Sequence, residues 1–578
     1  MTINGINGRA SDPLLPGNHA NSLPNKAADV SISNEPMFTP RKLRVVCIGS
    51  GYSGLVLSHK YNYVGNYKDY IDFVIYEKNH DIGGTWLENR YPGIACDVST
   101  LYSGYMVPAH IYTFLFEPNP DWSSFYASGP EIWRYLKRTS DKYELARQVQ
   151  FNSKLLESIW DEASGKWKLK LDQNGTIISD ECDILINSSG FLNEWKWPEI
   201  PDRGSFEGKM LHTARWDESL NWDGKRVAII GNGSSAIQLL PQMQKTASQI
   251  TTYIRSPTWI SSNYAAHLTK DGHNFLYSDE EKREFRENKE KFYQYRRKIE
   301  HEFNKYFYAF FKGSPEQAMV HEMFEADMRR RLKNDPYLCA KLIPDWDVGC
   351  RRLTPGDGYL EALLENNVEV EFSEIERITP KGIKTTSGEK EFDIIVCATG
   401  FDVSFRPRWE MIGKGGISLG EQWKTISEGY MSICAPNMPN YFIFNGPNCA
   451  TGHGSLMGIL DVTADYVLRW CRKIATQNIK SVTVNSDVVK EFNLYAQKFL
   501  KRTVWTSGCR SWFKNEKIDG PVTALYAGSV IHYREFLEEF RTEDFDFEYL
   551  TPNRFQFLGN GLTKREMDGE DLGFYVLK

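Results

Sequence analysis

Two glycine-rich turns, each directly behind a short apolar strand, constrain this 578-residue chain more than any other feature. The first, with Gly49, Gly51, Ser53 and Gly54, follows Val45-Val46-Cys47-Ile48; the second, with Gly231, Gly233, Ser234, Ser235 and Ala236, follows Val227-Ala228-Ile229-Ile230. In such a strand–turn–helix unit the first glycine makes the tight turn and the second lets a pyrophosphate approach the backbone. The third small residue lets helix and strand pack closely. The positive end of the helix then faces the phosphates. Each turn is followed by a second strand with an informative last residue. Phe73-Val74-Ile75-Tyr76 ends on Glu77, where an acid reaches a ribose hydroxyl; Thr251-Thr252-Tyr253-Ile254 ends on Arg255, where a cation suits an adenosine 2′-phosphate. The expectation is an α/β fold with two Rossmann-like dinucleotide-binding domains. One would hold a flavin, FAD, through turnover; the other would hold its reductant, NADPH rather than NADH.

The rest of the chain is read around these units. Residues 1–40, rich in Asn, Ser, Pro and Gly, read as a flexible tail. Residues 41–205 read as the first part of the FAD-binding domain and 206–380 as the NADPH-binding domain. Residues 381–578 read as a return to the FAD-binding domain and the C-terminal region. Lys166-Trp167-Lys168-Leu169-Lys170-Leu171 has hairpin character, and a charged, aromatic stretch over about 279–334 predicts a helical insertion that caps the site. Net charge is -6 with both signs intermixed, which excludes a basic field for nucleic acid or a membrane surface. No apolar run reaches ~18 residues and no leader pattern opens the chain, so a cytoplasmic protein is expected. Ten cysteines without a CxxC pair predict neither a disulfide framework nor a metal site.

Further segments carry a resemblance. Phe206-Glu207-Gly208-Lys209-Met210-Leu211-His212-Thr213-Ala214-Arg215-Trp216-Asp217 matches the FxGxxxHxxxW(P/D) signature of type I Baeyer–Villiger monooxygenases. Gly83-Gly84-Thr85-Trp86, continuing through Tyr91-Pro92-Gly93 to Asp97, is similar to that family's second signature. The likeness covers most of residues 41–550. Asn445-Gly446-Pro447-Asn448, Gly452-His453-Gly454-Ser455 and Gly508-Cys509-Arg510-Ser511-Trp512 resemble fungal members active in secondary metabolism. One departure is Ser188-Ser189-Gly190, where relatives carry Ala-Thr-Gly; Ala398-Thr399-Gly400 keeps the usual form.

The resemblance implies the reaction. NADPH reduces FAD, oxygen gives a C4a-peroxyflavin, and a ketone becomes an ester or lactone. The ketone would be a polyketide or terpenoid. In Gly349-Cys350-Arg351-Arg352-Leu353 it sets Arg351 against the NADP 2′-phosphate and Arg352 against the reacting oxygen, with Asp97 as the acid that holds Arg352. Gly84, Thr85, Trp86, Tyr91 and Asp97 are expected on the cofactor. His212 on its residues alone fits a structural histidine; the resemblance implies a hinge between the nucleotide domains. The alternative is an N- or S-hydroxylating flavin monooxygenase, which shares both turns but need not carry the Asp97–Arg352 pair.

Overall fold

The computed structural model describes residues 30–96, 107–261, 268–269 and 274–576. Two five-stranded parallel sheets organise it. The first runs Tyr441–Ile443, Ile184–Asn187, Leu43–Ile48, Ile71–Tyr76, Val149–Gln150; the second runs Val368–Glu371, Gln249–Tyr253, Arg226–Ile230, Ile394–Cys397, Lys209–His212. The register brings Ile48 opposite Tyr76 and Asn187, and Ile230 opposite Tyr253 and Cys397, so both glycine turns leave from strand ends that are flush with their neighbours. The central strands are covered on both faces: Val46, Cys47, Val227, Ala228 and Ile229 are fully buried. Such coverage is why these strands read as unbroken apolar runs. By contrast Lys166–Gln173 alternates and lies within the antiparallel meander Ser153–Asp161, Lys166–Gln173, Thr176–Cys182, as its hairpin pattern predicts.

Two boundaries differ from the sequence reading. Ile394–Cys397 pairs with both Arg226–Ile230 and Lys209–His212. The second unit therefore continues past residue 380, and the chain re-enters the first unit beyond Ala398-Thr399-Gly400, where Glu410–Ile412 pairs with Ser153–Asp161 and Tyr441–Ile443 with Ile184–Asn187. Residues 1–29 of the expected tail lie outside the described residues, but 30–40 are anchored. The Met37 N–H donates to the Leu562 carbonyl at 2.8 Å, and Phe38 stacks on Phe557 at 5.3 Å.

The helical insertion contains Asp279–Glu287, Lys289–Asn304 and Pro315–Arg331. Ser278 and Glu281 form a capping box at the start of the first helix, and Ser314 caps the third with Pro315 in its first turn. The insertion docks on the first unit. The buried imidazole of His110 is ringed edge-on by Tyr277, Phe285, Phe292 and Tyr295, with centroids 4.9–5.5 Å away, and Arg296 donates to the His110 carbonyl at 3.0 Å.

Candidate active site

A cavity of about 1450 Å³ opens between the two units, larger than the ~300–1,000 Å³ typical of a site for one small molecule. Both glycine turns line it. Gly49 has φ +105° and Gly231 φ +123°, and an added Cβ would lie 2.8 Å from the Ser188 carbonyl oxygen or 2.4 Å from that of Ala398. Each turn is thus pressed against the linker that leaves its own sheet, which no side chain would allow. Gly51, Ser53, Gly233, Ser234 and Ser235 also line the cavity. Gly54 and Ala236 do not; they sit under the turns, Gly54 so close that a Cβ would meet the Gly49 carbonyl oxygen at 2.2 Å, while Ala236 is fully buried.

Glu77 is buried on the wall, and one carboxylate oxygen accepts from the Ser50 N–H at 2.8 Å and the Ser50 hydroxyl at 3.0 Å. The other accepts from the Asn79 N–H at 2.9 Å. It therefore holds the first turn in shape as well as facing the cavity. Gly84, Thr85, Trp86 and Tyr91 line the same side. The Trp86 indole donates to the Tyr112 hydroxyl at 3.3 Å, and the Tyr91 hydroxyl donates across the unit boundary to Gln238 at 2.7 Å.

Arg255, Arg351 and Arg352 all line the cavity. Packing around Arg351 pushes its pKa below the ordinary arginine value; Glu516 opposes this and the neighbouring Arg255 adds to it. These two cations therefore share one electrostatic neighbourhood. The hydroxyl pair Ser234–Thr354, 2.8 Å apart, ties the second turn to the segment that follows Arg352. Arg352 acts electrostatically on the buried Tyr112 phenol, whose own pKa burial pushes well up. Asp97 lies outside the described residues.

His212 is buried at the junction of the linkers. Its Nδ1 accepts from the Ala214 N–H at 3.1 Å, which leaves Nε2 to donate to the Thr399 hydroxyl at 3.2 Å. Its ring stacks on Trp195 at 4.9 Å, and Trp195 bridges to Phe401. Burial lowers its pKa to about 4, so it is neutral near pH 7. Trp216 packs edge-on against Trp222 at 6.2 Å, outside the cavity lining.

Three features escape the sequence reading. Tyr112 lines the cavity from a segment without a nucleotide motif. Arg510, Ser511, Trp512 and Glu516 bring a C-terminal loop to it. And Cys350 and Cys509 form a disulfide, contrary to the expectation from scattered cysteines. Their separation of 159 residues leaves no local spacing to detect, and the fold brings their Cα atoms to 6.2 Å. The other eight cysteines are buried thiols outside any disulfide. Among the described residues no group of His, Cys, Asp or Glu could hold a metal, and no helix is long and apolar enough to cross a membrane.

Residues 42–275 match the model of the flavin-binding monooxygenase-like family. The chain is 49% identical over 550 residues to the FAD-binding monooxygenase tazF of Aspergillus terreus, covering 94% of this chain and 96% of that protein. The chain belongs to the flavin-binding monooxygenase-like family. It is also 31% identical to a Baeyer–Villiger monooxygenase of Pseudomonas aeruginosa, covering 89% and 94% of the two, which places it in the family's Baeyer–Villiger group. The closed crystal structure of cyclohexanone monooxygenase has the same fold, with a TM-score of 0.75 at 23% identity, over 88% of this chain and all of that one. This flavoprotein monooxygenase has the two dinucleotide-binding units of its family, whose cofactors are FAD and NADPH.

Proposed function

We propose that this monooxygenase inserts one oxygen atom of O2 beside the carbonyl of a ketone, consuming NADPH and releasing NADP+, water and an ester or lactone. The observation that carries the reading is the convergence of both glycine turns, both linkers and the Arg351–Arg352 pair on one cavity. A polyketide or terpenoid ketone is the substrate class, by the resemblance of the 445–448, 452–455 and 508–512 segments to fungal members active in secondary metabolism, and the site of action is the cytoplasm.

The chain fits both cofactors. A Cβ built on Gly51 would meet Gly84 Cα at 3.7 Å and one built on Gly84 would meet Gly51 Cα at 3.1 Å, so turn and loop lie against each other as one wall free of side chains, which a pyrophosphate could approach from the cavity. Gly49, Gly51, Ser53 and Gly54 would hold that pyrophosphate, and Glu77 a ribose. Gly84, Thr85, Trp86, Tyr91 and, by its place in the signature, Asp97 would hold the rest of FAD. Gly231, Gly233, Ser234, Ser235 and Ala236 would form the NADPH turn, and Arg255 with Arg351 would take the 2′-phosphate. Bound flavin, once reduced by NADPH, supplies the activation of oxygen.

Arg352 then has the central task. Negative charge on the reacting oxygens, buried in the cavity, needs a fixed cation, and a guanidinium can donate to several oxygens at once. Trp86 and Tyr112 keep water from that region with their large rings, and the indole N–H needs no water because the phenol oxygen accepts it. His212, neutral and hydrogen-bonded to Thr399, does no proton transfer; it couples the linkers as the units move. The test is mass spectrometry of products from a panel of ketones with NADPH and isotopically labelled oxygen. One labelled oxygen in an ester or lactone supports the reading. Oxidation of amines or sulfides with no ester from any ketone overturns it in favour of the hydroxylating alternative.

A further inference from the structure

The disulfide stands at a place where it can govern the site. Cys350 directly precedes Arg351 and Arg352, while Cys509 lies in the loop whose Arg510, Trp512 and Glu516 line the cavity. The two segments otherwise touch through weaker ties. The Ser507 hydroxyl donates to the Asp347 carboxylate and the Cys509 N–H faces the Cys350 sulfur at 3.3 Å, while inside the loop the Lys514 ammonium donates to the Ser507 carbonyl at 2.6 Å. Trp512 stacks on Phe191, just beyond the first linker, at 5.4 Å. Glu516, held in the left-handed region at φ +61°, is the acid that acts on Arg351.

We propose that the Cys350–Cys509 disulfide is a redox-sensitive brace that positions Arg351 and the 507–517 loop for the coenzyme, so that opening it selectively weakens NADPH binding. The remaining cysteines are poor competitors for this chemistry: all eight are buried, and burial pushes thiols such as Cys47, Cys397, Cys449 and Cys471 up to about 12. A lone bridge in a chain otherwise rich in reduced cysteines is the pattern of a redox-responsive pair more than of a disulfide framework. Cys350 and Cys509 are buried as well, but exposed Gly508 and Arg510 flank Cys509, so a short displacement of this loop would bring the bond to a reductant. In the step itself an external dithiol donates two electrons and two protons. The S–S bond breaks, Cys350 and Cys509 become thiols, and the dithiol closes to its own disulfide. With the bond gone, the loop is kept in place by hydrogen bonds, the Trp512–Phe191 stack and the buried Phe513, without its covalent tie to the Arg351 segment. Glu516 is then free to drift from Arg351, and the coenzyme side of the cavity loosens. FAD, held by turns and strands far from either cysteine in sequence, stays.

This inference rests on the reading of Arg351 as a contact of the 2′-phosphate, and the experiment separates the two. The FAD-loaded full-length enzyme is studied without ketone, by anaerobic flavin reduction with NADPH and with NADH, before and after dithiothreitol and again after reoxidation with diamide. Denatured protein should titrate eight thiols before reduction and ten after it. Reduction should raise the half-saturating NADPH concentration by about fivefold or more, the lower end of coupling between linked sites, while NADH changes little. Diamide should restore the starting value. Cys509→Ser and Cys350→Ser should each behave as reduced enzyme and ignore dithiothreitol. Ten thiols in the untreated protein, an unchanged NADPH requirement after two thiols appear, or wild-type behaviour of Cys509→Ser overturns the brace. A purely structural bond would shift both coenzymes alike, and that result overturns it too. Arg351→Ala in oxidised enzyme is the control: if NADPH discrimination survives there, the reading of Arg351 fails rather than the brace.

Discussion

At the scale of single residues, the cations decide the chemistry. Arg352 lines the cavity beside Arg351, whose own electrostatic neighbours are Glu516 and Arg255, and in the proposed reaction it is the cation at the reacting oxygens. Removing one preorganised electrostatic partner costs about 2.7–4 kcal/mol, or ~100- to 1000-fold in rate. Arg352→Ala should therefore keep bound FAD but lose ester or lactone, and its residual NADPH oxidation should release hydrogen peroxide. Arg352→Lys should be impaired as well, because Lys keeps the charge but not the planar fork. Simultaneous assay of NADPH, peroxide and product checks this, and near-normal product from the Ala variant removes Arg352 from the mechanism. Arg255→Ala should lose a charge-assisted contact of about 1.5–3 kcal/mol, raising the KM for NADPH roughly 10- to 150-fold with little change for NADH. An equal effect on both coenzymes would place the 2′-phosphate elsewhere. That these residues line one cavity was legible in the sequence, for Arg255 from the strand before it and for Arg351 and Arg352 from the family resemblance. Tyr112 and Glu516 were not, because they reach the cavity from segments with no spacing relation to either glycine turn.

At the scale of elements, the linkers carry the argument. The departure Ser188-Ser189-Gly190 is accommodated: the Ser188 hydroxyl accepts from the Cys47 thiol at 3.3 Å, and the Ser189 hydroxyl donates to Asn187 at 2.7 Å. The one added oxygen, on Ser188, finds a partner and Ser189 keeps the hydroxyl of the usual threonine, so the polar linker costs little. His212 joins the two linkers and has its pKa lowered to about 4, from an ordinary value of 6.5, by burial. The unfolded chain thus binds this proton below about pH 6.5 and the folded one only near pH 4. The stability contribution is complete above pH 6.5 and declines as pH falls toward 4. His59, His110 and His453 are also lowered chiefly by burial, and they add to the same trend. Thermal unfolding midpoints should fall from pH 7 to pH 4.5, and His212→Asn should show a shallower fall than wild type. Parallel curves for the two proteins would contradict the buried neutral imidazole. The strands of both units could be read from their apolar runs. The membership of Ile394–Cys397 in the second sheet could not, because parallel pairing across more than 160 residues leaves no trace in local periodicity.

At the scale of the whole molecule, function depends on how the two units meet, and here the loop from Tyr91 to Ala95, within the second signature, matters most. Tyr91 donates to Gln238, the Gln238 amide donates to the Ala95 carbonyl at 3.2 Å, and Gly93 lies between them, directly on the helix Ser234–Met243 that follows the second glycine turn. A Cβ on Gly93 would fall 2.4 Å from the Gln238 carbonyl oxygen and 2.9 Å from Gln242 Cγ, at a φ of +83°. The first of those atoms is backbone inside a helix and cannot yield. Gly93→Ala should therefore cost about 1–3 kcal/mol from overpacking, and a further ~1–2 kcal/mol from the left-handed backbone. The relief available to the molecule is to move the loop, and with it the first unit's wall, off the second unit's helix. FAD is held mainly from the first unit, so it should remain bound, with a lowered unfolding midpoint. The coenzyme side would be displaced relative to the flavin side, so NADPH oxidation should slow and a larger share of it should end as peroxide. Gln238→Ala removes the hydrogen bonds without the clash and should produce the same shift in weaker form. The measurement is the product-to-peroxide ratio of both variants at matched FAD content. If Gly93→Ala loses stability yet keeps the wild-type ratio, the loop is a packing contact only, and the registration of the units is set elsewhere.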